Sequence, residues 1–312
     1  MEGRLVVAVS PHIRAEMDTR RVMMGVIVSL VPGIAVGVWF FRWHALALLA
    51  SCLAETLSAE ALACILRRKP STLGDLSAAV TGVLLAMVLP PTLPFWAAFL
   101  GGVVAVTVGK QVFGGLGQNI FNPALVGRAF LMAAFPVLMT RWVAPGPKVV
   151  TAATPLALMK FDHRATPLLD LLVGKVGGCM GETSALALLI GGLFLVLKGY
   201  ADWRIPLSYL GTVAMLGSIP WAFRPDLYPS PMFHLLAGGL MLGAWFMATD
   251  PVTTPVTKVG RYMFGIGAGV LVVIIRLWGG LPEGVMYSIL LMNAVTPLID
   301  RYTVPVPFGG KR

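Results

Sequence analysis

Apolar residues run through this chain in long blocks separated by short polar or basic segments. A membrane-spanning helix needs about 20 mostly apolar residues. On that rule the blocks predict a first span from Val22 to Phe41 and a second from Ala45 to Leu66. A short third helix, Leu76 to Leu89, stops at Pro90-Pro91 and has the length of a half-helix or a broken span. A fourth runs from Phe95 to Val112, and a fifth from Asn122-Pro123 to Leu138, with proline in its favoured first helical position. After a long polar segment, residues 139–182, five more spans follow: Thr183–Leu197, Ile205–Ala222, Met232–Ala248, Tyr262–Trp278 and Gly284–Ile299.

Composition agrees with that reading. Hydrophobic residues make up 57% of the 312 and charged residues 12%, against about 25% charged in a typical soluble domain. Mean hydropathy is +0.83. The net charge of +10 does not indicate nucleic-acid binding, because the basic residues are scattered between apolar blocks and form no stripe. They sort by side instead. With both ends on one side of ten spans, that side holds Arg4, Arg14, Arg20, Arg21, Arg67, Arg68, Lys69, Lys110, Lys198, Arg204, Lys258, Arg261, Arg301, Lys311 and Arg312. The other side holds Arg42, Arg224 and Arg276, plus five in the long segment: Arg141, Lys148, Lys160, Arg164 and Lys175. Lysine and arginine bias sets orientation, so both termini are expected in the cytoplasm and segment 139–182 on the outer face of a bacterial cytoplasmic membrane.

The two halves resemble each other. VTVGKQVFGGLGQNIFNPAL (106–125) matches VIIRLWGGLPEGVMYSILLMNAV (273–295) in a basic residue, an aromatic, Gly-Gly-Leu, and an asparagine opening onto small apolar residues. DLSAAVTGVLLAMVLPPTLP (75–94) likewise resembles HLLAGGLMLGAWFMATDPVTTP (234–255). Units of five spans must insert in opposite directions. The expected fold is therefore an all-α integral membrane domain, one polytopic unit over 1–312. It comprises about ten transmembrane helices in a 5+5 inverted repeat with broken helices, an architecture of urea- or ammonium-channel type. Residues 1–138 and 183–312 form the repeats, and 139–182 the outer segment. Such folds place their sites near the midplane, at the broken helices.

The candidate chemistry is sparse. Cys52, Cys64 and Cys179 form no CxxC pair, and His12, His44, His163 and His234 have no metal spacing and read as solvated or interfacial. No metal site and no catalytic residue is expected. Trp39, Trp43, Trp96, Trp142, Trp203, Trp221 and Trp278 fall near span ends, as an aromatic belt does. Glu55 and Glu60 lie within a span and are expected to face the bundle interior. The segment FGGLGQNIFNPALVGRAFL (113–131) lacks the strand–turn–helix setting of a dinucleotide fingerprint. It reads as a broken helix in which Gln118, Asn119 and Asn122 offer polar groups, or as a packing motif with asparagine caps. Arg128 and Asp250 are the other intramembrane ionisable candidates. Asp250 reads either as lining an ion or flavin path or as a loop carboxylate capping a helix.

The segment KVVTAATPLALM (148–159), together with GGLGQNIFNPALVGRAF and the opening Ser10-Pro11-His12, resembles one family. That family comprises RnfD, of the Rnf ferredoxin:NAD oxidoreductase complex, and the B subunit of the sodium-pumping NADH:quinone oxidoreductase. The resemblance covers nearly the whole chain, and the 21 residues before the first span favour the RnfD branch. In that family the last threonine of a Ser/Thr-Gly-Ala-Thr motif is esterified by the phosphate of FMN. The match is Thr151, Ala152, Ala153 and Thr154, with Pro155 fixing the backbone after it and Ala152 where the family usually has glycine. The resemblance implies covalent FMN on Thr154, on an exposed loop. It also implies a second, non-covalent flavin (riboflavin) in the membrane, its site expected at the broken helices. The implied partners are a flavin transferase, a second flavinylated subunit at the outer face, and iron–sulfur subunits. The implied role is a translocase subunit, inactive alone, that couples ferredoxin:NAD electron flow to sodium or proton transport. A solute channel without redox chemistry, or a structural anchor for redox partners, are the rival readings.

Overall fold

The computed structural model describes residues 17–146 and 150–305. Ser10, Pro11, His12, Lys148 and the terminal basic residues Arg4, Arg14, Lys311 and Arg312 lie outside the described residues. The described chain is helical, and its only β pairing is two isolated bridges, from Val143 to Thr151 and to Gly178. The burial pattern is inverted relative to a soluble protein. Lys110 is 1% exposed, Glu60 0% and Asn293 0%, whereas Leu197 is 84% exposed and Phe223 83%. Polar groups gather inside and apolar side chains face outward, as hydrocarbon solvent requires.

Helix α1 runs Thr19–Leu66 and breaks at Arg42, where φ is 52° and ψ −128°. At 1.5 Å per residue an unbroken rod of this length would reach about 72 Å, more than twice the hydrocarbon thickness. The break turns the chain back. Val22 and Met23 from its start line the same cavity as Lys110, and Lys110 is bonded to Glu60 near its end. The two expected spans are thus one helical hairpin with a one-residue corner. α2 (Ser77–Val88) begins where Asp75 accepts from the Ser77 amide, 2.8 Å, and stops before Pro90-Pro91. All twelve of its residues are buried, which makes it a half-helix surrounded by protein.

α3 (Phe95–Val106) continues as a π-helical turn, Thr107–Gln111. α4 (Pro123–Ala134) is shorter than expected, because Phe135 breaks it ahead of α5 (Pro136–Met139). The segment 139–182 contains helix of its own, α6 (Pro155–Asp162) and α7 (Leu168–Val173). α8 (Ala185–Leu197) and α9 (Arg204–Phe223) follow. α8 packs on α1 through Gly191, where a Cβ would fall 2.0 Å from the Ser29 carbonyl oxygen. The expected eighth span is not continuous. It is split into α10 (Pro231–Leu236), extended Ala237, Gly238 at φ +69°, α11 (Leu240–Leu242) and a π-helical turn, Gly243–Met247. Only glycine adopts that φ without cost. α12 (Lys258–Trp278) and α13 (Val285–Thr303) complete the chain.

Among the described residues, three helices are long and apolar enough to cross a membrane: α1, α9 and α12. The remaining apolar segments are shorter or broken, so the ten expected spans are not ten full-length helices. The molecule is a multi-pass membrane protein whose interior is built partly from half-helices. Polar contacts tie distant stretches of the chain together. One group joins Lys110 to Glu60 and Ser77, with Arg67 donating to the neighbouring Gln111. Another joins Lys160 to the Arg276 carbonyl near the end of α12 (3.1 Å) and to the Leu281 carbonyl just beyond it (2.9 Å).

Candidate functional site

Three polar centres lie inside the fold. The first surrounds the start of α2. Lys110 donates to Glu60 and to the Ser77 hydroxyl, each at 2.7 Å, and Thr72 donates to the same carboxylate oxygen. Beside it is a cavity of about 60 Å³ lined by Lys110, Asn119, Asn122, Thr249 and Asp250. Asn122 caps α4, accepting from the Ala124 and Leu125 amides at 3.1 and 3.3 Å, and its own amide donates to Asn293 at 3.2 Å. Asp250 accepts from the Val252 amide and the Thr253 hydroxyl. It therefore both caps a turn and faces the cavity. Of the expected polar set, Asn119, Asn122 and Asp250 meet here. Gln118 is exposed and does not line the cavity. Glu55 is buried as expected, accepting from Ser51.

Arg128 belongs to a second centre. Its guanidinium lies 2.9 Å from Glu283 and 3.9 Å from Glu182. The other Glu283 oxygen accepts from the Gly239 amide at 2.7 Å, at the break between α10 and α11. Arg276 closes the same break by donating to the carbonyls of His234 and Ala237. The charges come from residues 128, 182, 276 and 283, four separate stretches of chain. Glu182 and Glu283 escaped the sequence reading. Each sits in a short polar connection that looks solvated when only neighbours are counted. One signal was present: Glu283 occupies the place of Gln118 in the matched Gly-Gly-Leu segments.

The third centre is the 151–160 segment. Thr154 is not on an exposed loop. It is 6% exposed and caps α6, its hydroxyl accepting from the Ala157 amide at 3.3 Å. Pro155 occupies the first helical position, where its missing N–H costs nothing. Thr151 and Ala153 are exposed. Gly177 packs beneath the motif, where a Cβ would lie 3.2 Å from both the Ala152 Cβ and the Ala153 oxygen. Further along α6, Lys160 donates to the Arg276 carbonyl of α12 and to the Leu281 carbonyl beyond it, and burial lowers its pKa from the usual lysine value.

The cysteines, tryptophans and histidines differ in burial. The cysteines are free and buried, and no cluster of His, Cys, Asp or Glu with metal-binding geometry occurs among the described residues. Trp39, Trp43, Trp96, Trp203, Trp221 and Trp278 are exposed, as an interfacial belt requires. His44 and His163 are exposed, but His234 is not solvated. It is 5% exposed, and neither ring nitrogen has a partner.

These features define the class as a multi-pass membrane protein with half-helices, buried charged centres and a threonine capping a short helix. The family model for NQR2, RnfD and RnfE matches residues 6–309. The D component of the Na(+)-translocating ferredoxin:NAD(+) oxidoreductase complex of Acetobacterium woodii is 49% identical over 99% of this chain and 96% of its own. The D component of the proton-translocating ferredoxin:NAD(+) oxidoreductase complex of Clostridium ljungdahlii is 44% identical, covering 97% and 96%. Its counterpart in the ion-translocating oxidoreductase complex of Shigella boydii is 39% identical, covering 98% and 99%. The chain belongs to the NQR2, RnfD, RnfE family.

Proposed function

We propose that this chain is the D-type membrane component of an ion-translocating ferredoxin:NAD oxidoreductase complex, carrying FMN esterified to Thr154. Family membership, and relatives named as components of such complexes, favour this redox role over a solute channel. The observation that carries the site is the position of Thr154 at the N-cap of α6. A phosphate ester on that oxygen meets the positive end of a helix and lies beside the Ala157 amide, a favourable setting for an anion. Gly177 lets the backbone pack closely beneath Ala152 and Ala153, which fixes the segment that leads into Thr154. Because the hydroxyl is turned inward, the transferase acts on the segment with the first turn of α6 opened. When bound, the flavin supplies the electron chemistry, and the protein supplies position and electrostatics.

The cavity lined by Asn119, Asn122 and Asp250, about 60 Å³, has room for an ion or a few waters and not for a riboflavin, so it is the candidate ion path, and the second, non-covalent flavin (riboflavin) takes another seat among the broken helices. The hydrogen bond from the Asn122 backbone amide to the Asn293 side chain, between residues that match in the two sequence halves, supports the 5+5 inverted repeat. On the charge bias, both termini are cytoplasmic and the 139–182 segment faces outward. There it meets a second flavinylated subunit, while iron–sulfur subunits deliver electrons. Co-expression with a flavin transferase tests the proposal. The denatured chain is expected to fluoresce under ultraviolet light and to carry the mass of one FMN-phosphoryl group. Thr154→Ser should keep the adduct and Thr154→Ala lose it. Fluorescence that survives Thr154→Ala places the attachment elsewhere.

A further inference from the structure

A cavity of about 220 Å³ opens beside α6 at the outer-segment end, between that helix, α10 and the end of α12. Leu156, Met159, Lys160 and His163 line it from α6, spaced as one helix face. Phe233 and Leu277 add apolar walls. His234 and Arg276 also line it, each 5% exposed. Both ring nitrogens of His234 and the Nε of Arg276 are buried without partners. A buried polar group left unpaired is destabilising, and native structures keep such groups few. Three of them around one cavity mark a place where a ligand completes the hydrogen bonding. The donor set does not suit a metal ion, because its two imidazoles, His163 and His234, share the cavity with two cations, Lys160 and Arg276, and with no carboxylate or thiol.

We propose that this cavity seats the isoalloxazine ring of the flavin carried on Thr154, with His234 and Arg276 binding its polar edge. The inference rests on the reading of Thr154 given above. The cavity wall starts two residues after Thr154, at Leu156. A group tethered there reaches the cavity along the helix that bears it, and tethering makes docking intramolecular, so weak contacts suffice. The chemistry also matches. The ring has a flat apolar body for Met159, Phe233 and Leu277. Its edge of alternating carbonyl and N–H groups suits an imidazole, which offers one donor and one acceptor, and the Nε–H of a guanidinium. The fixed positive charge of Arg276 favours negative charge on the ring and so raises its reduction potential. Arg276 is held by the His234 and Ala237 carbonyls, which ties the cavity to the break between α10 and α11.

The test uses the full chain carrying its covalent flavin. Wild type, His234→Phe and Leu277→Trp are compared, the last filling the cavity from an apolar wall. The readouts are adduct mass, quenching of flavin fluorescence by iodide, and midpoint potential. Seating of the ring predicts that the wild-type flavin is shielded from iodide and that Leu277→Trp exposes it. His234→Phe should change the reduced-to-oxidised ratio at fixed potential about tenfold, equivalent to about 30 mV for a two-electron couple. All three chains should keep the adduct mass. A wild-type adduct as open to iodide as the denatured chain overturns the seating, as does an unchanged potential in both variants. Absence of adduct from the wild type would instead refute the attachment at Thr154, and the two failures are thereby distinguished.

Discussion

Replacing Arg128 with methionine removes one cation from a buried site and leaves two carboxylates behind. At an effective dielectric of about 20, charges at the observed 2.9 and 3.9 Å from Glu283 and Glu182 attract by about 6 and 4 kcal/mol respectively. Much of that offsets the desolvation of three ions. What the variant loses is compensation, and uncovering a buried charge costs about 3–5 kcal/mol. Arg128→Met should therefore destabilise by about that amount. Glu283→Gln, which keeps an oxygen for the Gly239 amide and leaves Glu182 to pair with Arg128, should cost less. The double variant should cost less than the sum, by about 0.5–3 kcal/mol of coupling. The protein contains its own reporters: Cys52, Cys64 and Cys179 are free and buried. Titration with a denaturing detergent, followed by a thiol-reactive dye, reads each unfolding free energy. A cost below about 1 kcal/mol for Arg128→Met, or an additive cycle, would show that water reaches this centre and would refute the reasoning.

Asp202 bridges Arg204 and Arg261 at the starts of α9 and α12. Burial pushes its pKa up, but the Arg204 amide and the Arg261 guanidinium outweigh that and hold it below the usual carboxylate value. Its contribution is thus present above the unfolded value near 4 and is lost as pH falls through the lower folded value. Melting temperature against pH should fall less steeply below pH 4 for Asp202→Asn, and parallel curves would contradict this. Gly191→Ala places a Cβ 2.0 Å from the Ser29 backbone oxygen and 3.0 Å from Phe246. Overpacking of this kind costs about 1–3 kcal/mol, so the variant should melt lower in the same dye assay, and an unchanged melt would mean that α1 and α8 separate freely.

Much of the molecule was legible one segment at a time. The half-helix before Pro90-Pro91 follows from a short apolar block and two residues that cannot continue a helix. The asparagine cap of α4 follows from Asn122-Pro123. The broken eighth span was not legible, because Gly238 and Gly239 lie inside an apolar run whose hydropathy alone matches an intact helix. The burial of His234 was missed for a related reason. A histidine at a span end reads as interfacial until α6 and α12 are known to cover it.

The sequence by itself determined that this is a membrane domain, where its apolar segments lie, and which threonine carries the family's motif. Those are local properties, set by run length, charge placement and residue order. Only the tertiary structure decided which polar groups meet. Arg128 pairs with Glu283 across 155 residues and Lys110 with Glu60 across 50. The tertiary structure also turned Thr154 inward as a cap and left His234 and Arg276 unsatisfied at one cavity. In an apolar interior each buried polar group needs a partner, and many polar residues along the chain qualify. The choice is made by how the helices pack, and the hydropathy of the segments does not encode it.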